Sequence, residues 1–148
     1  MKLLFVCSGN TCRSPIAAGV ADNWSRSCRV NLTVRTAGLA HHPGRRVAEH
    51  AVTVLRERGV DISHEFSKPV TPEDVAWADA IIPLQRSHAD HLVEDYPEAA
   101  QKVRELPSDI HDPYCQPIAK YRECRDQLET VLPTLLESIA DEIKKSAR

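Results

Sequence analysis

The stretch that most constrains this chain lies within its first fifteen residues. Leu3-Leu4-Phe5-Val6 is an apolar run of strand length. It leads directly into Cys7-Ser8-Gly9-Asn10-Thr11-Cys12-Arg13, seven small, polar or cationic residues, and then into Ser14-Pro15. Ser is a favoured helix N-cap, and Pro suits the first helical position, where its missing N–H has no partner to lose. The segment therefore predicts a buried strand, a short loop and a helix starting at Ser14. Successive backbone N–H groups in such a loop converge on one point, and the helix N-terminus adds its positive end. The product is a cradle for a tetrahedral oxyanion. Gly9 opens backbone conformations closed to other residues, and Arg13 offers a planar fork to two anion oxygens.

The rest of the chain repeats the strand-then-helix alternation. Leu32 to Thr36 reads as a second strand, Ala80-Ile81-Ile82 as a third that ends early at Pro83, and Val103 to Leu106 as a fourth. Val47, Ala51, Val54 and Leu55 fall at helical spacing before Gly59. Thr71-Pro72-Glu73-Asp74 is a helix start, and 87–94 is a polar helical stretch. Tyr121, Leu128, Leu132, Leu135, Ile139 and Ile143 mark one broad face of a last helix, which Pro133 should kink or divide. Such alternation implies an α/β fold: a single domain over 1–148, with a doubly wound sheet of about four parallel strands and helices on both faces. Ligands of such sheets bind at the carboxyl ends of the strands, where Cys7 falls.

Composition removes several functions. With 148 residues and 42% hydrophobic content, the chain sustains one core. A net charge of −2 without a basic block argues against nucleic acid. The longest apolar run, from Leu3, is far short of the ~20 residues that span a bilayer, and no full signal-peptide pattern is present. A cytoplasmic monomer without a membrane partner is expected. Five irregularly spaced cysteines, Cys7, Cys12, Cys28, Cys115 and Cys124, suit free thiols better than a disulfide framework.

Cys7-x5-Arg13 puts a nucleophile and an anion clamp on one short loop. A buried core thiol is the bland alternative for Cys7, but it leaves the flanking Gly, Ser and Pro unexplained. A nucleophile acting on phosphorus needs an acid for the leaving group. Asp112, in His111-Asp112-Pro113-Tyr114, is the candidate. Pro113 biases it towards an extended conformation. Alone, Asp-Pro is more often a turn.

Taken together, Val-Cys-x-Gly-Asn-x-Cys-Arg-Ser-Pro, Thr36-Ala37-Gly38, Ile62-Ser63-His64, the Asp-Pro-Tyr at 112 and the final helix resemble the low-molecular-weight protein phosphatases across nearly the whole chain. The resemblance implies Cys7 as nucleophile, Arg13 as phosphate clamp and Asp112 as general acid. It implies Ser8, Gly9, Asn10, Thr11, Cys12 and Ser14 as the phosphate-binding loop. It also implies that Asn10, Ser14, Thr36 and His64 form the network shaping that loop, with Ser14 both capping the helix and donating to the Cys7 sulfur. The substrate is then a phosphorylated protein, and neither metal nor cofactor is required. His41-His42 and His88-x2-His91 are expected to be solvated rather than metal-binding.

The family has a phosphotyrosine and a phosphoarginine branch. Thr11 resembles the second, where the first commonly has Ile. Tyr114 is one expected cleft wall and suits either substrate. Ala40 stands where a large aromatic often forms the other wall. The rival activity is a thiol-dependent arsenate reductase on the same scaffold. It needs resolving cysteines, and none lies between Cys28 and Cys115.

Overall fold

The computed structural model describes residues 1–40 and 43–147. Strand β1 (Lys2–Cys7) is central, flanked by β2 (Thr33–Gly38) and β3 (Ala80–Pro83) in the order β2-β1-β3, all parallel. Helices follow as α1 (Arg13–Cys28), α2 (Glu49–Arg56), α3 (Pro72–Trp77), α4 (Arg86–Asp95) and α5 (Ile118–Ser146). A 3₁₀ turn covers Pro97–Gln101.

The apolar run at the N-terminus is continuous because β1 is buried on both faces. Leu3, Phe5 and Cys7 join a cluster with Ile16 and Val20 of α1, Val54 of α2 and Leu128, Leu132 and Leu136 of α5. Leu4 and Val6 point the other way, onto Val75 of α3, Leu92 of α4 and Ala99. The chain passes from β1 to β2 on one side and then crosses back over β1 to β3 on the other, so the strand order reverses at β1 and the crevice opens at its carboxyl end. Cys7 is the last residue there, in register with Gly38.

Three strands are formed among the described residues, not four. Val103 makes one parallel bridge to Ile81, through Ile81 N–H to the Lys102 carbonyl (2.9 Å) and Arg104 N–H to the Ile81 carbonyl (2.9 Å). The next rung needs an N–H from residue 83, and Pro83 has none. The ladder stops after one bridge.

Local signals fare better where they are self-contained. Thr71 and Asp74 form a reciprocal capping box, each bond 3.1 Å, at the start of α3. Gly59 (φ +75°) turns the chain after α2. Pro133 does not divide the last helix, which runs unbroken from Ile118 to Ser146. Packing of Leu128, Leu132 and Leu136 on both sides of the proline offsets the one lost backbone bond.

Candidate active site

The loop between β1 and α1 is tied down at several points. Leu39 N–H bonds the Cys7 carbonyl (3.0 Å), Ala40 N–H the Ser8 carbonyl (2.9 Å) and Ala48 N–H the Thr11 carbonyl (2.9 Å). Gly38 makes this closeness possible. A Cβ there would sit 2.9 Å from the Ser8 carbonyl oxygen and 3.1 Å from the Asn10 Cβ. Gly9 is not the special position expected. Its Cβ would meet only Thr11 Oγ1, at an ordinary 3.6 Å. The left-handed residue is Asn10 (φ +57°), which a short polar side chain tolerates.

Donor and acceptor roles around Cys7 follow from Asn10. Lys68 N–H donates to Asn10 Oδ1 (3.0 Å), which leaves Asn10 Nδ2 as the donor to Ser14 Oγ (2.8 Å). Ser14 accepts that bond, so its own hydroxyl hydrogen points to Cys7 Sγ at 3.0 Å. Asn10 N–H lies 3.2 Å from the same sulfur. Two donors thus face Cys7. The thiolate, not the thiol, is the attacking form. Ser14 supplies the expected hydroxyl but not the expected cap. The helix begins at Arg13, with Cys12 at the N-cap and no side-chain cap bond.

Cys7 is only 3% exposed, at the floor of a cavity of about 220 Å³ lined by the loop residues 7–13 together with Ala40, Arg45, Asp112 and Tyr114. Ala40 and Tyr114, the expected wall residues, both border it. Arg13 is buried. Its Nη1 donates to the Ile110 carbonyl (3.0 Å) and to Gln85 Oε1. With both Nη1 hydrogens engaged, the Nε–Nη2 edge is the fork left for an anion. Arg13 Nη2 is 3.5 Å from Asp112 Oδ2, and the Asp112 side chain is half exposed. Asp112 Oδ1 accepts the Tyr114 N–H (3.1 Å), which aims the carboxylate across the rim. Cys12 also lines this cavity, and its sulfur is 3.4 Å from the Tyr121 hydroxyl. Burial pushes its thiol up and outweighs the Tyr121 hydrogen bond, which acts the other way, so it stays protonated at neutral pH.

Among the described residues, the side chains of two expected network members make no hydrogen bond to the loop. His64 is 71% exposed, with Glu65 3.5 Å away. Thr36 is buried opposite Phe5 in the sheet, two residues short of the strand end that braces the loop. The two line a separate cavity with Asp22, Arg26 and Lys68. The backbone N–H of Lys68 takes the bracing position instead. His41 and His42 lie outside the described residues.

Sequence reasoning missed Gln85 and His88, and it placed His88 in solvent. His88 is buried, with Nε2 2.9 Å from the Ser8 hydroxyl. Burial, then the Arg13 charge, lowers its pKa to about 4. Between its ordinary pKa near 6.5 and pH 4, the unfolded chain binds a proton that the folded chain does not. Stability must therefore fall as pH drops through that window, by up to about 3 kcal/mol. Urea midpoints at pH 7 and 4.5 are expected to fall less in His88→Leu than in the wild type. An equal fall contradicts this assignment. Glu57, held by Arg122 and Arg125 at a pKa of about 2, loses its contribution as pH falls from 4.5 towards 2, below both pH values of this comparison.

A buried cysteine in a cavity lined by a strand-to-helix loop, with a guanidinium edge and a rim carboxylate, suits a cysteine enzyme of phosphoryl transfer. Comparison with known proteins agrees. The family model for low molecular weight phosphotyrosine protein phosphatase matches residues 2–146. The chain is 36% identical to a protein-arginine-phosphatase from Geobacillus stearothermophilus, over 95% of this chain and 97% of that protein. It superposes on the crystal structure of a low molecular weight protein tyrosine phosphatase from T. tengcongensis with a TM-score of 0.87 and 36% identity, covering 93% of this chain and 99% of the other. Arsenate reductase 1 of Staphylococcus epidermidis is more distant, at 26% identity over 93% of this chain and 96% of that protein. The chain belongs to the low molecular weight protein phosphatase family and is a cysteine-dependent protein phosphatase. No described helix is long and apolar enough to cross a membrane.

Proposed function

We propose that this single-domain chain is a metal-independent, cytoplasmic, monomeric phosphatase whose preferred substrate is phosphoarginine in proteins. The observation that carries the chemistry is the Cys7 sulfur, faced by two donors at the floor of a cavity with Arg13 and Asp112 at its rim. Cys7 attacks phosphorus in line with the leaving group. An S–P bond forms as the P–N bond breaks, and Asp112, as the acid, gives its proton to the departing nitrogen. Water then attacks phosphorus. Asp112, now a carboxylate, takes the water proton, and phosphate leaves as the Cys7 thiolate is regenerated. Loop amides and Arg13 hold the equatorial oxygens through both steps. Asn10 and Ser14 hold the sulfur.

Thr11 supports the guanidine substrate. It lines the cavity together with Ala40, a small residue, and Tyr114. The protein-arginine-phosphatase likeness points the same way. Phosphotyrosine is the second reading, favoured by the exposed Tyr114 ring at the mouth, which suits stacking on an aromatic leaving group. Arsenate reduction is disfavoured, because Cys28 and Cys115 are both exposed and neither lines the Cys7 cavity. The test is kcat/KM on phosphoarginyl and phosphotyrosyl peptides of one flanking sequence. Phosphoarginine is expected to lead. Thr11→Ile is expected to shift the ratio towards phosphotyrosine by about tenfold, the scale of a misplaced polar or apolar contact. An unmoved ratio removes Thr11 as a specificity element.

A further inference from the structure

One buried side chain outside the reacting groups is aimed at the catalytic loop and only half satisfied. His88 sits in the first turn of α4 and is 3% exposed. Its Nε2 contacts the Ser8 hydroxyl, and its buried Nδ1 finds no partner among the described residues. A neutral imidazole has one N–H and one bare nitrogen. Leaving a buried N–H unmet is the rarer defect, so the orphan Nδ1 is the bare nitrogen. The proton is then on Nε2, which donates to Ser8 Oγ. Burial and the nearby Arg13 keep the ring neutral, in keeping with this tautomer. Ser8 keeps its own hydroxyl hydrogen and one lone pair. It is an exposed residue lining the Cys7 cavity, so neither is closed off from a guest there.

We propose that Ser8, its hydroxyl oriented by His88, reads the leaving group at the cavity wall by accepting an N–H from a phosphorylated guanidine. The proposal rests on the phosphoarginine reading above. A guanidine presents N–H donors along its edge, whereas a tyrosyl ring presents carbon-bound hydrogens. A hydroxyl oxygen with one lone pair available matches the first. Against the second it is stripped of water without a replacement partner. Ser8 touches the substrate and sets specificity. His88 acts through Ser8 and is a positioning residue.

The experiment measures kcat/KM on paired phosphoarginyl and phosphotyrosyl peptides for wild type, Ser8→Ala, His88→Leu, His88→Gln and the Ser8→Ala/His88→Leu double variant. Both rates come from one preparation, so partial misfolding cancels in their ratio. Ser8→Ala is expected to lower the phosphoarginine-to-phosphotyrosine ratio about tenfold, the scale of one lost hydrogen bond. His88→Leu is expected to lower it in the same direction. His88→Gln, whose amide still donates, is expected to restore it. The double variant should be no worse than Ser8→Ala alone, because the two residues act as one unit. A ratio unmoved by Ser8→Ala overturns the proposal. So does a His88→Leu loss that is equal on both substrates and not relieved by glutamine. A wild type that hydrolyses phosphotyrosine but not phosphoarginine overturns the substrate reading itself, and this proposal falls with it. That failure is visible before any variant is made.

Discussion

Cys7→Ser is expected to cut steady-state turnover by about 10⁴- to 10⁶-fold, the range seen when an enzyme loses its nucleophile. The surroundings of residue 7 explain why so much is lost by exchanging one atom. Ser14 Oγ and Asn10 N–H converge on the sulfur at 3.0 and 3.2 Å. Two donors suit a polarisable thiolate. A serine hydroxyl at the same place is a weak nucleophile without a base beside it, and no described base approaches this position. In the proposed reading the anion is held by other parts, chiefly loop amides and the Arg13 edge. Inorganic phosphate or vanadate should therefore still bind the variant with affinity within about tenfold of wild type. Calorimetric titration of the variant, run beside a turnover assay, checks both halves. Turnover at the wild-type rate eliminates Cys7 as nucleophile.

Asp112→Asn is expected to slow poor leaving groups by about 10²- to 10⁴-fold and activated aryl phosphates by less than about tenfold. The difference arises because only a poor leaving group needs a proton as its bond to phosphorus breaks. Asparagine keeps the shape, and its Oδ1 can still accept the Tyr114 N–H that aims the side chain (3.1 Å in the wild type). What it lacks is a transferable proton. A plot of rate against leaving-group basicity should be steeper for the variant. Equal losses across the series remove Asp112 from the acid role and leave it as a partner of Arg13, 3.5 Å away.

How far the sequence reveals this site depends on how local each contact is. Cys7, Asn10, Arg13 and Ser14 lie within eight consecutive residues, and their mutual bonds span at most seven positions. A strand, a loop and a helix start are enough to bring them together. The groups that brace them come from afar. Lys68 is 58 positions from Asn10, Gln85 is 72 from Arg13, and His88 is 80 from Ser8. Nothing in their neighbours' hydrophobic pattern marks them, because their place is set by how α4 and the 63–70 segment dock against the strand ends. His88 shows the difficulty well. Its flanks Arg86, Ser87 and Asp90 are polar and exposed, so the segment reads as solvated, yet the helix turns this one ring inward beside Ala89 and Leu92. The fourth strand failed for a related reason. Val103 to Leu106 has strand character, but pairing requires a donor from its neighbour, and that neighbour is Pro83. Ser14 and Gly9 were assigned by residue type. The structure transfers the cap position to Cys12 and the left-handed turn to Asn10.

Rapid acid quench of the wild-type protein with an aryl phosphate, followed by mass analysis of its peptides, tests the central claim most directly. A burst of leaving group close to one per chain, with a phosphoryl group carried on the peptide containing Cys7, is the expected result. Phosphate released with no burst and no protein-bound phosphorus, at any quench time within the first turnover, contradicts covalent transfer through that sulfur.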